Sequence, residues 1–360
     1  MKNGRDRKTQ LASVQLLRAI AALLVLCMHE QYGWNLLPSG TPPPVLSGFG
    51  QFKSFGGVGV QVFFVVSGFI MAHLSESRKV GSLQAYAIGR VSRIAPLYWI
   101  TSIIWLLTGP LPAASYFFRS VFFIPVEGWI PFYGLGWSLT LEMFFYVTFG
   151  IIAVWARASV WWMAVVFATF AVLAHSFPSN YYFTNYGDPV VWNFMAGALA
   201  QKIYRHPTIV KLRYVSLLVS LVWFAYVGYT FLPPHAWGSE AFVPWSPPAF
   251  LFALFFLSSE AKHPFRDTFV VRQLTRIGDA SYSLYLTHFI VIFFLNALIL
   301  RACVAIRITQ PDIQLVVFML AAVAVSIACH NLIEMPATKG FKKLFSALPS
   351  LSAGEETAAR

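Results

Sequence analysis

"LLRAIAALLVLCMHE", residues 16–30, decides how the rest of the chain is read. Its middle belongs in hydrocarbon, yet Arg18 stands near its start and His29 and Glu30 close it. Extended back to about residue 12, the run reaches the roughly 20 residues that an α-helix needs to cross a bilayer. At 100° per residue, Arg18 and His29 point almost the same way and are separated by a rise of roughly 16 Å. One polar stripe therefore follows an otherwise apolar helix through much of the membrane. Ionisable side chains in such a place are costly and mark functional sites by default. A solvated helix end would explain His29 standing alone, but Arg18 in line below it favours a lined path. Glu30 points about 100° away from His29, and a solvated helix end accounts for it.

The rest of the chain agrees with a membrane reading. Of its 360 residues 58% are apolar, 17% aromatic and only 11% charged, with a mean hydropathy of +0.64. A soluble core cannot hide that much apolar surface, so the expectation is an all-α, polytopic integral membrane protein. The basic start "MKNGRDRKTQ" is followed by no small-residue cleavage site, which reads as a retained helix. Cys27, Cys303 and Cys329 all lie in apolar runs and form no CxxC pair, so packing explains them better than disulfides or metal. The net charge of +12 does not indicate nucleic acid, because the charges sit between the apolar runs rather than along one face.

Ten apolar runs are expected as spanning helices, near 12–31, 57–74, 94–110, 133–155, 159–175, 187–203, 213–232, 245–259, 280–300 and 313–334. The sixth and eighth are short for a crossing. With the N-terminus inside, 22 of the 26 lysines and arginines fall in inner segments; Lys53, Arg119, Arg301 and Arg307 fall outside. That asymmetry favours ten crossings with both termini cytoplasmic, because losing one helix would invert every later loop. The aromatic stretch "SYFFRSVFFIP", 115–125, is too short to span and reads as a helix lying at the outer interface or dipping back in. No internal repeat is visible. Residues 1–345 read as one transmembrane domain, and 346–360 as a short polar, disordered tail.

Three further clusters carry polar chemistry. In "AIGRVSRIAPLYW", 87–99, Arg90 and Arg93 are one turn apart, with Pro96 marking the start of the third helix. A pair of guanidinium groups can clasp a phosphate bidentately, while a single arginine there would be a topology signal. In "LGWSLTLEMFFY", 135–146, Ser138, Glu142 and Tyr146 recur every four residues and share one face. A carboxylate there must be neutral, paired or wet, and a structural ion pair is the plain alternative. In "SYSLYLTH", 281–288, Tyr285 and His288 are one turn apart, and a packed, hydrogen-bonded histidine is the plain reading. The glycines of "GGVGVQVFFVVSGF", 56–69, follow no strand and read as sites of close helix contact rather than a dinucleotide loop.

In order along the chain, "LRAIAALLVLCMHE", "GVGVQVFFVVSGFIM", "RVSRIAPLYW", "WSLTLEMFFY", "SYSLYLTH" and the closing "IEMP" resemble the type-3 membrane acyltransferase family. The form of "GWSLTLEMFFY" is similar to members that acetylate bacterial exopolysaccharides. The resemblance implies transfer of an acyl group, most often acetyl, from acyl-CoA to a carbohydrate hydroxyl by a multi-pass protein of the bacterial inner membrane. It implies His29 and Glu142 as catalytic groups and Arg18, Arg90 and Arg93 as the hold on the donor. Trp137, Ser138, Tyr146, Tyr285 and His288 would support the substrates. Acetyl-CoA or another acyl-CoA is the expected co-substrate; carbohydrate and membrane lipid are the expected partners, nucleic acid is not, and a homo-oligomer is compatible. No metal is expected. Two other classes stay open: a sugar-lipid flippase or transporter, and a metal-dependent hydrolase using His29, Glu142 and His288, which has no HExxH-like spacing behind it.

Overall fold

The computed structural model describes residues 11–35, 55–76, 82–230 and 243–346, and every regular element among them is helical. All ten expected runs are helices. Seven of the described helices are long and apolar enough to cross a membrane: Ala12–His29, Gly56–Glu76, Leu83–Thr108, Gly136–Trp155, Pro207–Val227, Ser281–Ala305 and Pro311–Ser346. The helices at Trp162–Ser176, Trp192–Ile203 and Ser246–Lys262 have 15, 12 and 17 residues and fall short of that length. The basic N-terminal residues, the tail 347–360 and most of the two proline-rich connections lie outside the described residues.

The chain divides into two compact units, Met1–Ile70 with Pro189–Ile327, and Met71–Asp188 with Ala328–Arg360. In the first, α1 (Ala12–Asn35) is the common element. Its Leu17 and Ala21 enter an apolar cluster with Val58, Val65 and Phe69 of α2 (Phe55–Glu76). Ala22 and Leu26, on another face of α1, meet Leu284, Val291, Phe318 and Ala322 from two later helices. Lipid is as apolar as these side chains, so their contact gains little hydrophobic free energy; close backbone approach and interhelical hydrogen bonds must do more. Glycine provides the approach. A Cβ on Gly59 would lie 2.4 Å from Ala21 O, and one on Gly68 would lie 1.9 Å from Phe194 O. The glycine-rich stretch thus packs helices backbone to backbone, as its composition suggests.

The N-terminus of α1 has an unusual cap. Ala12 N and Ser13 N donate to the two oxygens of Glu260 at 2.8 and 2.9 Å, a side chain carried by the helix Ser246–Lys262. A carboxylate at this position satisfies orphan N–H groups and meets the positive end of the helix dipole, a contribution of about 1 kcal/mol. It also holds α1 in axial register, which matters because α1 carries Arg18 and His29.

The second unit is organised around α3 (Leu83–Trp105), capped by Ser82, whose hydroxyl accepts from Ala85 N at 3.2 Å. Here one sequence expectation needs correcting. Pro96 does not start this helix but lies inside it, fourteenth residue from its first. Proline removes one intrahelical hydrogen bond, but apolar helices tolerate it when neighbours pack around the break. Ser92, Ala95, Pro96, Leu97 and Tyr98 are all buried here. The consequence is functional: Arg90 and Arg93 stand on a continuous helix, not on a loop before it. The aromatic stretch near 115–125 contains the short helix α4 (Ala114–Val121). It is stitched to α3 by Trp99 Nε1 donating to Val121 O at 2.8 Å and Tyr98 Oη donating to Ser120 O at 3.2 Å. The helix α5 (Gly136–Phe149) follows, and a π-helical turn, Gly150–Trp155, extends it.

Candidate active site

Each unit brings together one cluster of the expected residues. In the first unit, the helix Ser281–Ala305 carries Tyr285 and His288. His29 and His288 are both buried, and His288 Nε2 lies 3.0 Å from His29 Nδ1. His288 Nδ1 lies 3.0 Å from the carbonyl of Leu284, one turn earlier on the same helix. The imidazole centroids are 5.0 Å apart with ring planes 29° from parallel, and the Phe289 ring meets His29 edge-on at 4.7 Å. Tyr285 packs 6.1 Å from His288.

These contacts assign the protons. A carbonyl only accepts, so His288 Nδ1 must donate to Leu284 O. With both rings neutral, His288 Nε2 is then an acceptor, and His29 Nδ1 must donate to it. The basic lone pair of His29 therefore sits on Nε2, the far side of its ring from His288. Protonation of Nε2 would leave the Nδ1–H···N bond intact and charge-assisted, which is how a second group stabilises an imidazolium. Arg18 is half-buried on α1, three turns before His29.

The second unit holds the arginines and the carboxylate. The Arg90 guanidinium lies over the rings of Tyr146 at 5.5 Å and Tyr86 at 5.9 Å. Tyr146 Oη donates to Glu142 Oε1 at 2.6 Å, so the four-residue spacing read from the sequence is a real contact. Tyr86 Oη donates to the carbonyl of Tyr146 at 3.1 Å and ties α3 to α5. Arg93, one turn beyond Arg90, adds its charge to the field at Tyr146. The Arg90 Nε is buried and has no hydrogen-bond partner among the described residues. Such a donor costs about 1–3 kcal/mol until an acceptor reaches it. A cation held between tyrosine faces with an unmet N–H suits a phosphate oxygen. Of the other expected residues, Ser138 is buried, its hydroxyl 3.5 Å from Leu135 O, and Trp137 stacks on Trp129 rather than joining the polar face.

Two features escaped sequence reasoning. The partnership of His29 and His288 has no signature in spacing, since 259 residues separate them; the one signal is that a histidine in hydrocarbon needs a partner and few are on offer. Tyr86 was legible in principle, because it precedes Arg90 by four residues and so shares its helix face. Among the described residues, no three His, Cys, Asp or Glu side chains gather as metal ligands.

Comparison with known proteins adds to this geometry. A family model described as "Acyltransferase domain" matches residues 11–331. The chain is similar to "Exopolysaccharide production protein ExoZ" of Rhizobium meliloti (strain 1021), 30% identical over 310 residues, covering 80% of this chain and 91% of the relative. It is also similar to "Nodulation protein 10" of Rhizobium leguminosarum bv. viciae, 26% identical with 53% and 59% covered. "Acyltransferase MdmB" of Streptomyces mycarofaciens is 29% identical, with 44% of each chain covered. No solved structure gives a significant match.

Proposed function

We propose, from the premise that this chain belongs to the acyltransferase family matched over residues 11–331, that it acetylates a hydroxyl of a bacterial exopolysaccharide or of its lipid-linked precursor, with acetyl-CoA as donor. Membership makes the protein an O-acyltransferase, and its long apolar helices make it a multi-pass membrane protein. The similarity to an exopolysaccharide production protein supports the acceptor class. The lysine and arginine asymmetry supports ten crossings of the inner membrane with both termini in the cytoplasm. We read residues 1–345 as one functional domain because the family match runs through both compact units.

The observation that carries the mechanism is the bond from His29 to His288. In our reading His29 Nε2 takes the proton of the acceptor hydroxyl while that oxygen attacks the thioester carbonyl. The tetrahedral adduct then collapses: the carbon–sulfur bond breaks, the CoA sulfur leaves as thiolate, and the His29 imidazolium returns the proton to it. The ester and free CoA are the products, and the histidine pair ends as it began. His288 holds His29 in the tautomer whose basic nitrogen is Nε2 and supports the transient positive charge. Tyr285 packs against His288 and limits its rotation.

Arg90 and Arg93 hold phosphates of CoA, the first through its buried Nε. Glu142 keeps Tyr146 in place beneath Arg90; its Oε1 already accepts that hydroxyl, which makes it a weaker base than His29. Arg18 lines the path along α1. The direct test compares polysaccharide from wild-type, deletion and His29→Gln-complemented strains by proton NMR. O-acetyl signals should appear only in wild type. A transporter would give acetylated polysaccharide in the His29→Gln strain, because glutamine keeps that surface polar.

A further inference from the structure

Two tryptophans before and within α5 have no part in the mechanism above. Trp129 and Trp137 stack with ring centroids 4.7 Å apart and planes 28° from parallel, and both are half-buried. The backbone beneath Trp129 is unusual. Gly128 and Trp129 are consecutive left-handed residues, with φ of 79° and 68°. Glycine adopts that conformation freely, but a bulky side chain is strained in it. A turn alone would be made more easily with asparagine or glycine at position 129.

The surroundings enforce the strained geometry. Trp129 N donates to Val126 O at 3.2 Å. Phe132 N donates to Ser120 Oγ at 2.9 Å, and Tyr116 Oη donates to Ile130 O at 2.8 Å. Val126, Tyr133 and Leu135 are buried on either side. A segment pinned this firmly holds a strained residue, and strain so held clusters at ligand clamps. Tryptophans that only anchor a protein at the lipid interface need neither a left-handed backbone nor a stacked partner. In the same turn, Glu127 is exposed.

We propose that the Trp129–Trp137 stack, with the exposed Glu127 two residues before Trp129, is the acceptor subsite and takes a pyranose ring of the polysaccharide. A pyranose offers a flat face of C–H groups, which packs on an indole by dispersion and weak C–H···π contact. Its rim of hydroxyls donates to a carboxylate in charge-assisted hydrogen bonds. The subsite rests on the reading of the acceptor as a carbohydrate.

The test uses the purified full-length protein in nanodiscs, radiolabelled acetyl-CoA, and the host's exopolysaccharide stripped of its esters by mild alkali. Trp129→Asn keeps a residue that tolerates left-handed backbone and removes the ring. It should raise the half-saturating polysaccharide concentration about ten-fold, the scale on which ring stacking counts in aromatic binding platforms. The half-saturating acetyl-CoA concentration serves as the check on folding. Trp129→Tyr, which keeps a ring, should recover most of the loss. Glu127→Gln, an exposed change that does not endanger folding, should weaken the polysaccharide about five-fold through the lost charge. If Trp129→Asn misfolds, Glu127→Gln decides alone, in either direction. Half-saturation within about two-fold of wild type in the folded variants overturns the subsite. Wild-type protein that transfers acetyl neither to the stripped polysaccharide nor to its lipid-linked precursor overturns the carbohydrate reading instead, a separate failure.

Discussion

The histidine pair and the arginine–tyrosine cluster are both polar groups set among apolar helices, but they differ in what their internal bonds leave over. In the first, each contact is donor to acceptor, from His29 through His288 to the Leu284 carbonyl, and the chain has its basic lone pair at His29 Nε2. In the second, the bonds between Tyr86, Tyr146 and Glu142 leave a donor, Arg90 Nε, with no acceptor among the described residues. In the proposed mechanism the first arrangement receives a proton and the second an anion. The difference teaches that residue types alone do not assign roles here: histidine, glutamate and arginine could each serve in either cluster. The direction of the hydrogen bonds separates them.

The largest expected effect comes from the basic end of the histidine pair. His29→Gln keeps hydrogen bonding but cannot take up a proton, so kcat should fall about 1,000-fold, within the usual reach of general base catalysis. Binding of acetyl-CoA, measured by calorimetry on the purified protein, should change little. A variant with more than a tenth of wild-type kcat would place the base elsewhere and dissolve the contrast between the clusters.

His288→Ala should have a smaller effect, because the base remains and only its orientation and charge support are lost. We expect kcat to drop roughly 10- to 100-fold, the worth of one hydrogen bond to a charged group. The half-saturating acetyl-CoA concentration should stay put. His288→Asn should recover part of the rate, since its amide oxygen can accept from His29 Nδ1–H. Equal rates in the Ala and Asn variants would mean that the bond between the rings is packing and not a device for the tautomer.

The smallest effect belongs to Arg90→Lys. The charge stays, but the buried Nε donor and the planar face over Tyr146 go, so the half-saturating acetyl-CoA concentration should rise about ten-fold. Here kcat should hold, the reverse of the His288 pattern. A fall in kcat at constant half-saturation would put Arg90 with the reacting atoms and merge the two proposed roles.

Much of this was legible in the chain. The helix at Ala12–Asn35, the shared face of Glu142 and Tyr146, and the close packing at Gly59 and Gly68 all follow from spacing and side-chain size. The start of α3 is not legible, because Pro96 suggests a helix beginning at the point where apolar residues take over. In fact the cap at Ser82 and burial around Pro96 sustain the helix through it.

By itself the sequence determined that the protein lives in a membrane, where its helices run, and which few polar side chains those helices carry. These are local properties: partition into lipid depends on composition, and face-sharing on a period of 3.6 residues. Only the tertiary structure decided that His29 pairs with His288, that Glu260 closes the end of α1, and that Arg90 lies over Tyr146. Each of these joins residues from different helices. Which helix faces meet is set by the packing of many side chains at once, and no repeat along the chain records it.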